Sequence, residues 1–108
     1  MTRYQLHLHT RPVAGREEEY HRWYDETHLA EVVGLDGFLT GERFVPVPLD
    51  PDARPPETYL AVYEIETDDL PGTLGQLRTA GLRLSDALDT ASVRTEVFHS
   101  LGAKATRS

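Results

Sequence analysis

The stretch Thr58-Tyr59-Leu60-Ala61-Val62-Tyr63-Glu64-Ile65-Glu66 alternates with a period of two. Tyr59, Ala61, Tyr63 and Ile65 fall on one side; Leu60, Val62, Glu64 and Glu66 fall on the other. Such alternation in β-branched and aromatic residues is that of a strand. Both sides carry apolar groups, so this strand expects cover on both faces of its sheet.

Working outward, Arg3 to His9 alternates in the same way, with Tyr4, Leu6 and Leu8 opposite Gln5, His7 and His9. Pro12 and Gly15 end that strand. Arg16 to Val33 lacks both glycine and proline, and Glu17, Glu18 and Glu19 suit a helix N-terminus. At 100° per residue Tyr20, Trp23, Tyr24, Thr27 and His28 share one broad helical face. Gly34 suits the helix end, and Asp36-Gly37 marks a turn. Phe38 to Val45 reads as a second strand with Phe38, Thr40, Glu42 and Phe44 on one side. Pro46 to Glu57 holds five prolines and reads as a surface loop, near a pocket mouth or a subunit edge. Leucines at 70, 74, 77, 84 and 88 form a helical stripe, which Gly72, Gly75 and Gly81 should break. Ser92 to Ser100 is the last strand, and residues 101–108 read as a tail.

The expected architecture is α+β in βαββαβ order: one domain over residues 1–108, a four-stranded antiparallel sheet, and two helices on one face. Two helices cover only one face of such a sheet. A symmetric second chain is the simplest cover for the other, so a homodimer is expected.

Composition narrows the function classes. Eighteen acidic against eleven basic residues give a net charge of −7, which repels phosphate backbones and anionic membranes. The arginines are scattered, so no nucleic-acid or membrane partner is expected. Without cysteine there is no disulfide, thiolate metal site or cysteine nucleophile. No apolar run has the length of a signal peptide core or a membrane span, and a cytoplasmic location is the expectation. Phosphate loops, G-x-S-x-G and zinc spacings are absent.

The segment Glu19-Tyr20-His21-Arg22-Trp23-Tyr24-Asp25-Glu26-Thr27-His28-Leu29, followed by Gly37-Phe38, resembles the signature helix and turn of the dimeric α+β barrel superfamily. It is most similar to the branch of EthD-like proteins and small antibiotic- and alkaloid-biosynthesis enzymes. Tyr59 to Ile65 resembles the third strand of that group. Ala30 and Asp36 stand where the pattern often has proline. The resemblance implies a ferredoxin-like protomer whose sheet packs on its mate's, with a pocket between helices and sheet. It also implies a small, aromatic ligand and chemistry drawn from cofactor-free oxygenation, cyclisation, isomerisation, or gain and loss of water.

His28 is the first catalytic candidate, because its helical face points it toward the sheet and an imidazole transfers protons near neutral pH. A buried histidine that only hydrogen-bonds a strand would give the same pattern. Glu96, on one strand face with Arg94 and Phe98, is the second; burial would raise its pKa and suit it to proton transfer. An ion pair with a nearby arginine is its structural alternative. Trp23, Tyr24, Tyr63, His7 and Phe98 are expected to line the substrate site. Tyr59 is read as packing, and His21 and His99 as surface residues. His7, His9 and Glu96 contain the elements of a histidine–carboxylate metal site, yet the spacing is unspecific and no metal or cofactor is expected.

These residues suggest a cofactor-free acid–base enzyme of secondary metabolism. It would be lyase-, hydratase- or isomerase-like and act on a small aromatic or heteroaromatic intermediate. A cofactor-free monooxygenase and a non-catalytic carrier are the alternatives.

Overall fold

The computed structural model describes all residues 1–108. Its elements are strand β1 (Thr2–Thr10), helix α1 (Glu17–Trp23), a π-helical turn (Tyr24–His28), helix α2 (Leu29–Val33), β2 (Phe38–Phe44), β3 (Tyr59–Thr67), helix α3 (Leu70–Thr79), a 3₁₀ turn (Thr90–Ser92) and β4 (Arg94–His99). The strands form one antiparallel sheet in the order β2-β3-β1-β4. This is the ferredoxin-like α+β arrangement.

Register fixes which side chains share a face. Leu6 lies opposite Tyr63 on β3 and Val97 on β4, and Tyr4 lies opposite Ile65. These residues therefore face the helices. Leu6, Ala61, Tyr63 and Ile65 are buried there with Tyr20, Tyr24, Val32, Phe38, Ala87 and Leu88 in one core. The other face, open in a single chain, carries Gln5, His7 and His9 of β1, Leu60, Val62, Glu64 and Glu66 of β3, and Glu96 and Phe98 of β4.

Strand β2 departs from simple alternation. The pairing slips between Phe38 and Thr40, leaving Leu39 as an extra residue. A bulge turns every later side chain to the other face. Phe38 thus stays in the core, while Thr40, Glu42 and Phe44 point to the open face. Phe38 does not share their side, as strict alternation had required.

The second helical region is short, as its glycines imply. Asp69 caps α3: its Oδ1 accepts from the Gly72 N–H at 3.1 Å, and Pro71 lies in the first turn. After Thr79 the chain is irregular. It is tied back to the end of β1 by Val13 N–H to Ala87 O (2.7 Å) and Asp89 N–H to Arg11 O (3.0 Å). Those bonds bring Ala87 and Leu88 into the core without helical geometry. Pro46 to Glu57 contains no strand or helix. Residues 101–108 have no regular structure and lie exposed. No helix is long and apolar enough to cross a membrane.

Candidate active site

The π-helical turn shapes the helix face that carries the candidates. The Leu29 N–H reaches back five residues to Tyr24 O, in place of the usual four. The wider turn changes which side chains superpose. Trp23 and His28, five apart and at opposite edges of that face in a regular α-helix, stack with ring centroids 4.5 Å apart and planes inclined at 24°. Tyr24 meets His28 edge-on at 5.2 Å and also contacts Trp23 at 5.1 Å. Thr27, expected on this face, is turned to solvent.

His28 is only 7% exposed. Its Nδ1 is sealed from solvent and has no hydrogen-bond partner. Burial pushes its pKa below the ordinary histidine value, and the nearby Glu31 charge partly opposes that shift. The imidazole is therefore neutral at pH 7 and able to accept a proton.

Tyr63 reaches the same region from β3. Its hydroxyl is also sealed and unpartnered. Burial first, and the neighbouring Tyr24 second, push its pKa up; burial likewise raises Tyr24 to about 12. Both phenols stay protonated near neutrality and can only donate to a developing negative charge. Gly41 on β2 makes room for Tyr63. A Cβ there would sit 2.8 Å from the tyrosine ring, inside van der Waals contact.

Beside this group lies Arg43, a residue the alternation pattern of β2 does not single out. The bulge at Leu39 places it on the helix side. Its guanidinium lies over the rings of Tyr24 (4.7 Å), Tyr20 (5.2 Å) and Tyr59 (5.7 Å). It donates to Asp25 Oδ1 at 2.9 Å and lies 3.0 Å from His21 Nδ1. His21 is thus packed into a cluster and not a free surface residue. Burial and the Arg43 charge lower its pKa. Tyr20 shares a hydrogen bond with Thr10 at 2.6 Å beneath this cluster.

A surface groove of about 740 Å³ runs alongside, lined by Trp23, Thr27, Glu31, Arg83, Leu84, Ser85 and Asp86. Trp23 stands between this groove and His28. A second groove, of about 470 Å³, includes Pro56 and Glu57 with Arg11, Pro12 and Tyr59. The proline-rich loop therefore borders a cleft at one end of the sheet.

Glu96, His7 and Phe98 lie elsewhere. The register puts all three on the open face, across the sheet from His28. Glu96 Oε1 is bonded to His9 Nε2 at 2.8 Å, and its side chain is half exposed. Neither Arg94 nor another arginine is its partner. His7 Nε2 turns to Gln5 Oε1 at 3.0 Å, and its ring packs on Phe98 at 4.7 Å. The expectation that His28 and Glu96 act together on one ligand atom is corrected: within one chain the sheet separates them. His7 and Phe98 are likewise removed from the helix-side pocket wall, while Trp23 and Tyr24 pack on His28 and Tyr63 lies beside Tyr24. His7, His9 and Glu96 do not converge on a point, and no group of three such side chains is close enough to hold a metal ion.

No family model and no curated protein matches the chain. Solved structures do. MhuD, in a point variant with two manganese protoporphyrin IX molecules per active site, aligns at 18% identity with a TM-score of 0.64, over 95% of this chain and 99% of its own. A heme-degrading protein of Mycobacterium tuberculosis, in a heme-free structure, aligns at 17% identity and a TM-score of 0.58, over 98% of this chain and 100% of its own. A proposed monooxygenase from Shewanella loihica aligns at 16% identity and 0.55, over 100% and 99%. At these identities the likeness is one of fold.

Proposed function

We propose that this chain is a cofactor-independent monooxygenase acting on a small aromatic molecule, with His28 as its base. The observation that carries this reading is the neutral, buried, unpartnered imidazole of His28, held between Trp23 and Tyr24. An aromatic substrate with an acidic CH2 group would give up a proton to His28. Its carbanion would then pass one electron to dioxygen. The resulting radical pair joins as a peroxide, which takes a proton back and expels water, leaving a carbonyl. One CH2 and one O2 become one C=O and one H2O, so the substrate supplies all four electrons that reduce the dioxygen and no external reductant is needed. Tyr63 and Tyr24, held protonated by burial, would donate to the oxygen on which the carbanion's charge is spread. Fold neighbours that degrade haem or are assigned as monooxygenases favour oxygenation over the water addition or removal expected from sequence. The separation of Glu96 from His28 weakens the hydration reading further, because the second proton-transfer group is missing from that side.

Haem as substrate does not fit these residues. The groove beside Trp23 sets only that ring and Leu84 against Thr27, Glu31, Arg83, Ser85 and Asp86, apolar surface enough for a small ring and too little for the faces of a porphyrin. The one nearby imidazole lies under the Trp23 ring.

The assembly we propose is a homodimer closed through the open sheet face. In the single chain Phe44 and Phe98 are left exposed there. A cytoplasmic setting and kinship with the EthD-like branch belong to the same proposal and rest on the sequence motif.

The test is oxygen uptake by purified, chelator-treated protein with anthrone-type or related acidic aromatic substrates. One O2 consumed per carbonyl formed, and no turnover without oxygen, is expected. Turnover that proceeds equally under nitrogen would return the reading to isomerisation or hydration. Tight binding with no turnover would leave a carrier.

A further inference from the structure

Three side-chain atoms in the chain are sealed from solvent without a partner: His28 Nδ1, Tyr63 OH and Glu31 Oε1. Two of them, on His28 and Glu31, belong to one helix and lie three residues apart. Side chains at this spacing are neighbours on a helical surface, with Cβ atoms about 5–6 Å apart. A buried carboxylate oxygen without a donor is costly, and so is a buried ring nitrogen without a partner. Each is what the other lacks, since the carboxylate can only accept and an Nδ1–H can donate. The Glu31 charge opposes the downward shift that burial imposes on His28. Glu31 also lines the groove beside Trp23, one turn of helix from His28.

We infer that Glu31 is a positioning residue for His28, its carboxylate accepting a hydrogen bond from Nδ1–H after a side-chain rotation that brings the two together. The bond fixes the proton on Nδ1 and so leaves the lone pair on Nε2 as the base. This is the orienting role that a carboxylate takes beside histidine in many acid–base sites. It satisfies two sealed atoms with one contact. The inference deepens the oxygenase reading, since it concerns the same base. It holds for any proton transfer at His28.

The experiment is nitrogen-15 NMR of the His28 ring in the full chain, which reports tautomer and pKa without any substrate. In the unmodified protein the neutral ring is expected to carry its proton on Nδ1. Glu31→Ala should move it to Nε2 and lower the His28 pKa further, because the one opposing charge is gone. Glu31→Gln keeps the shape and an acceptor oxygen. It should retain the Nδ1–H tautomer while still lowering the pKa, and it serves as the working variant if Glu31→Ala does not fold. Turnover should fall roughly ten- to hundredfold in Glu31→Ala, as for other orienting partners of histidine. The acid limb of its pH–rate profile should move to lower pH. A proton on Nε2 in the unmodified protein, or a tautomer and pKa unchanged in both variants, would overturn the inference. Failure of the oxygenase reading would appear elsewhere, as turnover without oxygen, with the NMR result intact.

Discussion

The two faces of the sheet are built from the same four strands but treat their polar groups differently. On the open face the polar side chains find partners. His9 bonds Glu96, His7 bonds Gln5, and Arg3 lies near both Glu64 and Glu66. On the helix side His28, Glu31 and Tyr63 hold sealed atoms with none. Water and flexible neighbours satisfy a group on an exposed face at little cost, whereas an unpartnered group in a core costs about 1–3 kcal/mol. A thin core of this size has little stability to spare. Unpartnered groups retained in it, two of them at the end of a π-helical turn and just past it, mark the face where chemistry is expected. Such turns often occur at functional sites.

The largest effect that tests this contrast is on turnover. His28→Ala should lower it by about two to four orders of magnitude, the range for a general base. Glu96→Gln should leave it unchanged. The double variant should match His28→Ala, because groups on opposite faces without shared partners act independently. Steady-state rates of the three variants decide the matter. A loss in Glu96→Gln comparable to that in His28→Ala would mean that a residue from the open face reaches the site, through a partner copy.

Much of the contrast was legible in the sequence and part was not. Period-two patterns located β1 and β3 to within a residue, and the glycines at 72, 75 and 81 foretold a short α3. The aromatic helix face correctly grouped Trp23, Tyr24 and His28. What alternation cannot supply is which of two strand faces meets the helices. Glu96 and Phe98 do share one face of β4, and His7 lies opposite Glu96 on β1, but that face proved to be the open one. Two local irregularities also escaped. The bulge at Leu39 and the π turn at Tyr24 each shift the phase of later side chains, and neither has a sequence signal of its own. Arg43 was missed for the first reason. With the bulge uncounted, its residue lies on the wrong face for its three tyrosine partners.

The next largest effect is on stability and concerns Gly41. Its missing side chain lets the Tyr63 ring lie against the β2 backbone. A Cβ would also meet Val33 Cγ2 at 3.1 Å. Gly41→Ala should destabilise the chain by about 1–3 kcal/mol, as overpacking does in a tight core. Chemical denaturation measures it. The contrasting substitution is Thr40→Ala, one residue away on the open face, which should be nearly neutral. Equal costs at both positions would mean that the two faces are packed alike.

A smaller effect comes from pH. Burial holds the His28 pKa below its unfolded value, so the folded state resists protonation. Its contribution to stability is fully present above the unfolded value of about 6.5. It declines as pH falls from there and is lost once pH passes the lower folded pKa. His21, lowered by burial and Arg43, adds to the same slope. Urea midpoints at pH 7.5 and pH 5 should therefore differ, and His28→Gln should reduce the difference. An undiminished slope in that variant would assign the effect to His21 alone.

The smallest effect belongs to the open face. The bond between His9 and Glu96 is short but half exposed, and pairs of that kind contribute roughly 0–1 kcal/mol. Glu96→Gln should therefore shift the urea midpoint of an isolated chain scarcely at all. The outcome changes if a second copy covers this face. Glu96 and His9 would then lie in a desolvated interface with Phe98 and Phe44 around them, where breaking one member of a charged pair costs far more than it does in water. Glu96→Gln would weaken association while leaving the fold of each chain intact, and Glu96→Lys would weaken it further by setting a cation beside His9 and Arg94. Sedimentation over a range of protein concentrations separates the two cases. A dimer whose dissociation constant is the same in all three proteins would place the contact somewhere other than the open face of the sheet.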